Sequence, residues 1–437
     1  MADYFKWDEK KERLALFAAL ALGFVLRASY VVNVNLPPHN DMAEWDKARL
    51  SIINSLPYTA NWTPLYPAVL ALITKVFGES YVVLNLANAV FSIITCYYIF
   101  LSAREIFGKR TAYLALLFSA VYIDMIWYCG VMMAETLGMM LLTVLVYRVI
   151  KNRSFAVSGL FLGLTCLTKG LFIVLLPGFL VWIYQRERKA AWLRKSAVFT
   201  GMTFLTLLPW SVRNIIVHKA PVLLEPHWAS AMFAGHNPYA TGGYDYEYLN
   251  HEYGKFELDP ALSIVEKNRL YTRKALDFML HNPLRELQLT ALRASKHLTF
   301  ATSFVAYREP YPARKLMFGL SLLQNMILFP LCALGMAFSF RDRGAFGFSM
   351  IITILAGVFI TIFSANTRMR MPLVPAMLTL AAHGAILLPG ILARVKSGEI
   401  AEIKCKLFTI SSAVLLLYAN FAYQAVTRWQ DVAGRFN

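Results

Sequence analysis

Charge is what this chain has least of. Of its 437 residues only 16% are Asp, Glu, Lys or Arg, against about 25% in a soluble domain. Hydrophobic residues make up 58% and the mean hydropathy is +0.50. Several stretches of about 18 to 22 residues carry no charge, each long enough to cross a hydrocarbon core of about 30 Å. This composition excludes an ordinary soluble fold. Closely spaced cysteines are missing too. Cys96, Cys129, Cys166, Cys332 and Cys405 lie far apart, with no CxxC or Cys/His spacing to suggest a metal site. They read as small apolar residues in helices. His227, His236 and His251 have no helical ligand spacing either. There is no internal repeat and no low-complexity tract. No small-residue cleavage site follows the first apolar run, so that run reads as a span and not as a removable signal.

The charge that is present is lopsided, 43 basic against 26 acidic residues for a net +17. In a soluble chain this would point to nucleic acid. In a membrane chain it reads as cytoplasmic loops obeying the positive-inside rule, with basic groups for an anionic lipid or phosphate as the other reading; no nucleic-acid partner is expected. The apolar runs predict an all-α polytopic membrane protein with about eleven transmembrane helices, amphipathic juxtamembrane helices and outer loops. The spans fall near 14–35, 81–101, 111–127, 133–149, 155–168, 171–184, 197–210, 316–338, 346–363, 372–392 and 407–425. A short apolar stretch lies at 64–77, and Lys169 and Gly170 suggest a hairpin of two short helices within 155–184. The whole chain, 1–437, reads as one transmembrane domain. It has a first outer loop at 36–63 that holds a juxtamembrane helix, a large outer loop at 212–312, and no separate soluble C-terminal domain.

A cytoplasmic N-terminus puts segments 6–13, 104–110, 148–153, 186–195, 341–343 and 394–406 inside, and each is rich in Lys or Arg. The same parity places Asp41, Glu44, Glu135, Lys169, Arg213, Arg368 and Arg370 on the other side, at or near helix ends. Ionisable groups there pair or line polar cavities. Asp41, in His39-Asn40-Asp41-Met42-Ala43-Glu44-Trp45, reads either as the N-cap of a helix over 42–56 or as a general base for an acceptor hydroxyl. Glu44 reads as its reciprocal capping partner or as a surface acid. His39 reads as a turn residue or as part of a cavity wall. Glu135 is either an acid at the positive end of a helix dipole or a site residue. Asp124 lies deeper and could pair with Lys169 or an arginine. Lys169, Arg213, Arg368 and Arg370 read singly as snorkelling side chains, and together as a pocket for a phosphate.

These residues occur in an order that resembles a known superfamily. An acid follows the first span, then come Pro64-Leu65-Tyr66-Pro67, an acid at the head of a later span, Thr168-Lys169-Gly170, Pro209-Trp210 with Arg213-Asn214, and Arg368-Met369-Arg370-Met371-Pro372. The order is similar to that of the GT-C glycosyltransferases, which use polyprenyl-phosphate-linked sugars. The nearest branches are the protein O-mannosyltransferase-like and aminoarabinose transferase-like enzymes. The resemblance covers roughly residues 14–392. It implies Asp41 and Glu135 as catalytic acids, with Asp41 the base, and Lys169, Arg213, Arg368 and Arg370 at the donor phosphate. His39, Glu44, Tyr66 and His236 become possible substrate-lining residues. Leu171 departs from the proline that follows Thr-Lys-Gly in the aminoarabinose branch. No Asp-x-Asp is present, so no metal or other cofactor is expected, although a divalent ion is used by some relatives.

The implied reaction is a single inverting displacement on the non-cytoplasmic face of a bacterial or archaeal plasma membrane. A sugar leaves a polyprenyl-phosphate-linked donor for a hydroxyl or phosphate on a lipid, glycan or protein acceptor. Other partners are membrane lipids. The aromatic run at 242–253 suits sugar stacking or an interface belt equally. Two alternatives remain: a transporter or flippase of a lipid-linked anion, and a glycan polymerase or ligase with a polyprenyl-diphosphate donor.

Overall fold

The computed structural model describes residues 8–34, 37–58, 62–187, 189–243, 261–301, 313–340, 342–364 and 366–434. Among the described residues the regular elements are helices: α1 (Glu9–Asn33), α2 (Asp41–Ile53), α3 (Leu65–Phe77), α4 (Tyr81–Phe107), α5 (Lys109–Val121), α6 (Ile123–Trp127), α7 (Glu135–Ile150), α8 (Phe155–Cys166), α9 (Leu176–Arg186) and α10 (Lys189–His218). Then follow α11 (Trp228–Gly235), α12 (Ile264–His281), α13 (Pro283–His297), α14 (Arg314–Ser339), α15 (Phe346–Thr361), α16 (Val374–Lys396) and α17 (Lys404–Gly434). Short 3₁₀ turns at Tyr128–Gly130, Gly170–Leu175 and Thr367–Leu373 precede α7, α9 and α16.

The chain is an all-helical integral membrane protein, as its apolar runs predict. The count of about eleven spans is not reproduced by helix length. Five helical segments among the described residues are long and apolar enough to cross a membrane singly: Glu9–Asn33, Tyr81–Phe107, Arg314–Ser339, Thr367–Lys396 and Lys404–Thr427. A sixth forms if Lys109–Val121 and Ile123–Gly130, bent by 51°, count as one. The expected spans at 155–168, 171–184 and 346–363 are shorter apolar helices, and the one at 197–210 lies within the 30-residue α10. Two short helices do lie within 155–184, α8 and, after the 3₁₀ turn, α9.

The bend after α5 has a physical cause. A helix that ends inside a bilayer leaves carbonyls without donors. Arg27, fully buried on α1, supplies them. Its guanidinium donates to Ala120 O at 2.7 Å and Ser119 O at 2.8 Å, while its other donors reach Gly23 O and Ser92 Oγ. Two asparagines of α4 then hold the segment before α7. Asn85 donates to Gly130 O, and Asn88 donates to Val131 O and accepts from Thr136 Oγ1. These contacts fix where α7 begins, and therefore where Glu135 stands.

Elsewhere glycines set the helix spacing. A Cβ at Gly335 of α14 would lie 1.9 Å from Leu380 O of α16, and one at Gly384 2.0 Å from Leu331 O. Only hydrogen fits at such a crossing. Basic segments gather at one end of the bundle. Lys109 pairs with Glu12, Lys151 with Glu105, and Lys195 with Glu187; Arg186 donates to Ile150 O. Asp46, Arg49, Glu79 and Tyr81 form a network at the other end of α4, about 40 Å away for a helix of that length.

The expected outer loop at 212–312 is helical through much of its described part. Arg293 of α13 is fully buried and ties three helices. It donates to Gly235 O at the end of α11, to Ile360 O of α15, and to Glu286. Exposed Leu280, Leu284 and Leu287 line the α12–α13 joint, so this pair has the amphipathic character expected of juxtamembrane helices. His251 and most of the 242–253 aromatic run lie outside the described residues.

Candidate active site

Four of the seven charged residues that the sequence places on the non-cytoplasmic side meet in one cluster. Arg368 Nη1 donates to Asp41 Oδ2 at 2.5 Å, and Arg368 Nε lies 3.4 Å from Glu135 Oε1. Lys169 Nζ donates to the same Glu135 oxygen at 2.6 Å. Glu135 is completely buried, whereas the Asp41 side chain is 41% exposed. The buried Glu135 carboxylate therefore holds two cations, and the more accessible Asp41 pairs with one of them, Arg368.

Each position follows from local structure. Asp41 is the first residue of α2. Asn40 precedes it with φ 48°, and its side chain makes no capping bond. Asp41 is therefore not the N-cap, and its carboxylate goes to Arg368. No capping box forms with Glu44, which is exposed. Lys169 lies at the turn between α8 and the following 3₁₀ segment. Gly170 N donates to Glu225 Oε1 at 3.0 Å, and a Cβ at Gly170 would meet Glu225 Cδ at 3.2 Å, so a small residue suits this approach. Arg368 is set by Asn366, whose side chain accepts from Arg368 N at 3.0 Å.

The other two basic residues lie elsewhere. Arg370 is buried, donates to Thr299 O and Ala301 O, and lies over the Phe329 ring. Arg213 donates to Tyr58 O and stacks on Tyr58 and Trp210. The motif around it is a scaffold: Trp210 Nε1 and Asn214 Nδ2 both donate to Leu224 O, and Ser211 Oγ donates to Leu223 O. That holds Glu225 against the backbone of Gly170. Of the four basic groups expected at the phosphate, Lys169 and Arg368 share Glu135, while Arg213 and Arg370 are bonded to backbone carbonyls.

Of the possible lining residues, Tyr66 is fully buried and hydrogen-bonded to Asn88. His39 approaches Pro37 O at 3.0 Å. His236 is buried between Glu286 (2.9 Å) and Ile362 O (3.1 Å). Burial, and then Arg293, hold its pKa below the ordinary imidazole value, against Glu286. Asp124 accepts from Ser321 Oγ at 2.5 Å and lies in the field of Arg370, the arginine alternative of its expected pairing. Sequence reasoning missed Glu225 and the ring contacts that join Tyr66 to Trp45, Trp62 and His227, with centroids 4.9 to 5.5 Å apart. Trp45 stands four residues after Asp41 on the same helix face, a spacing that could have revealed it. Among the described residues no three His, Cys, Asp or Glu side chains gather as a metal site.

Residues 61–213 match the family described as dolichyl-phosphate-mannose-protein mannosyltransferase. The archaeal oligosaccharyltransferase AglB from Archaeoglobus fulgidus, solved with an inhibitory peptide and a dolichol-phosphate, superposes with a TM-score of 0.52 at 16% identity. The match covers 96% of this chain and 55% of that one. ArnT from Cupriavidus metallidurans, bound to undecaprenyl phosphate, gives 0.53 at 14% identity, covering 86% of this chain and 60% of that one. The chain has the GT-C fold. It spans between half and two thirds of the length of these GT-C structures. No curated protein sequence matches it.

Proposed function

We propose that this protein is a membrane glycosyltransferase that moves a sugar from a polyprenyl-phosphate-linked donor to a hydroxyl or phosphate acceptor, with inversion and without a divalent metal. The observation that carries this reading is the convergence of Asp41, Glu135, Lys169 and Arg368 from four separate parts of the chain. Two cations held by a buried acid suit a phosphate, and an accessible carboxylate beside them suits a base. The gathering of basic segments at the opposite end supports a cytoplasmic N-terminus and an extracytoplasmic site.

In the reaction, the donor phosphate lies against Lys169 and Arg368. An acceptor hydroxyl attacks the anomeric carbon from the face opposite the phosphate, and Asp41 takes its proton. The bond from the anomeric carbon to the phosphate oxygen breaks, and its electron pair stays on that oxygen. Negative charge grows on the leaving phosphate, and cations already in place stabilise it. Glu135, buried beneath both cations, orients them. Relatives solved with dolichol-phosphate and undecaprenyl phosphate support a lipid phosphate as the donor group. Mass spectrometry of envelope glycolipids and glycoproteins from a deletion strain tests the proposal. One sugar modification should disappear, and the wild-type gene should restore it while Asp41→Asn should not. An unchanged glycan profile would overturn it.

A further inference from the structure

Arg368 has two acidic neighbours of different kinds. Glu135 lies at its Nε edge, buried and also bound to Lys169. Asp41 lies at Nη1, on a side chain 41% exposed. The first neighbour is fixed inside the protein; the second is at the accessible edge, on the first turn of α2. A guanidinium can keep one partner through one edge while it exchanges another.

We infer that the Asp41 carboxylate occupies the place of the donor phosphate until the donor arrives, so that donor binding itself releases the base. This rests on the donor reading above. A lipid-linked phosphate approaching Lys169 and Arg368 competes with Asp41 for Arg368 Nη1. Once the phosphate holds that edge, Asp41 loses its ion pair and is available for the acceptor proton. Without donor, the Asp41 carboxylate is held by Arg368 and is not turned to the acceptor. Glu135 is a positioning residue in this scheme: it keeps Lys169 and Arg368 side by side while the outer partner changes.

The scheme assigns opposite signs to two substitutions that remove the same charge. Asp41→Asn removes the competitor, so an anion binds more tightly. Glu135→Gln removes the group that aligns the cations, so an anion binds more weakly. A simple field effect would tighten binding in both, because each removes a negative charge near an anion.

The test is equilibrium binding of undecaprenyl phosphate to the purified full chain in detergent. Inorganic phosphate and undecaprenol serve as separate probes, and elution profile and thermal midpoint report folding. The expected result is affinity about tenfold higher for Asp41→Asn and about tenfold lower for Glu135→Gln. Undecaprenol should be insensitive to both. If Asp41→Asn binds no tighter than wild type, the exchange is refuted. Tighter binding in both variants overturns the positioning role of Glu135. Should Glu135→Gln fail to fold, Asp41→Glu, which keeps the charge, takes its place: under the exchange it binds the anion no more weakly than wild type and less tightly than Asp41→Asn, and affinity equal to that of Asp41→Asn overturns the exchange. If wild type and Asp41→Asn bind neither phosphate probe, the donor reading itself fails, a result distinct from equal binding by both.

Discussion

Asp41 and Arg368 stand 327 residues apart in the sequence and 2.5 Å apart in the folded chain. Their pairing joins the start of α2 to the 3₁₀ turn before α16. It also explains why an aspartate at the head of a helix does not cap it: its carboxylate is turned toward the guanidinium.

Asp41→Asn keeps the shape of the side chain and removes the proton acceptor. Sugar transfer should fall by about 10²- to 10⁴-fold in kcat, with an unchanged thermal midpoint. Steady-state kinetics on a purified, monodisperse preparation checks this; retention of more than about a tenth of the activity contradicts the base assignment.

Arg368→Lys keeps the charge but cannot face Asp41 and Glu135 through two edges of one planar group. Donor KM should rise about tenfold or more, and Lys169→Ala should act in the same direction. Kinetics at varied donor concentration separates this from a change in kcat alone.

Arg370→Met should behave differently. Its guanidinium holds Thr299 O and Ala301 O, and losing those bonds should cost about 1–3 kcal/mol of stability. The thermal midpoint should fall while the donor affinity of the folded fraction stays constant. A selective loss of donor affinity would restore Arg370 to the phosphate site.

Acid should loosen the helices after α10. His297 is buried at the end of α13, and burial, assisted by Arg370, pushes its pKa down to about 3. An unfolded histidine titrates near about 6.5. The folded value is the lower one, so the stabilisation is complete above the unfolded value and is lost as pH falls toward the folded one. The thermal midpoint should therefore drop between pH 7.5 and pH 5, and His297→Leu should flatten that dependence. Thermal unfolding across the pH series provides the check.

The sequence made Asp41, Glu135, Lys169 and Arg368 legible through topology, because each sits near a helix end on one side of an alternating chain. Arg370 shows where that logic stops. In a 3₁₀ turn of three residues per turn, side chains two apart point about 120° away from each other, so Arg368 and Arg370 cannot both face one site. Linear order did not reveal that this segment is helical and not extended, the conformation in which side chains two apart share a face. Arg213 illustrates a different limit: a position at a helix end does not specify side-chain direction, and aromatic neighbours drew it to Tyr58. Arg27 is visible as a lone charge in an apolar run. Its partners are carbonyls at a helix break after Val121, which neither proline nor glycine announces.

The central claim is that the cluster of Asp41, Glu135, Lys169 and Arg368 binds a lipid-linked phosphate. The most direct measurement is photo-crosslinking of the purified chain with a polyprenyl phosphate carrying a diazirine close to the phosphate, followed by peptide mapping. The account predicts label on the segments around Asp41, Glu135, Lys169 and Arg368, displaced by undecaprenyl phosphate and reduced in Arg368→Ala. Label spread over the apolar helix faces, unaffected by competitor or by that substitution, would contradict it.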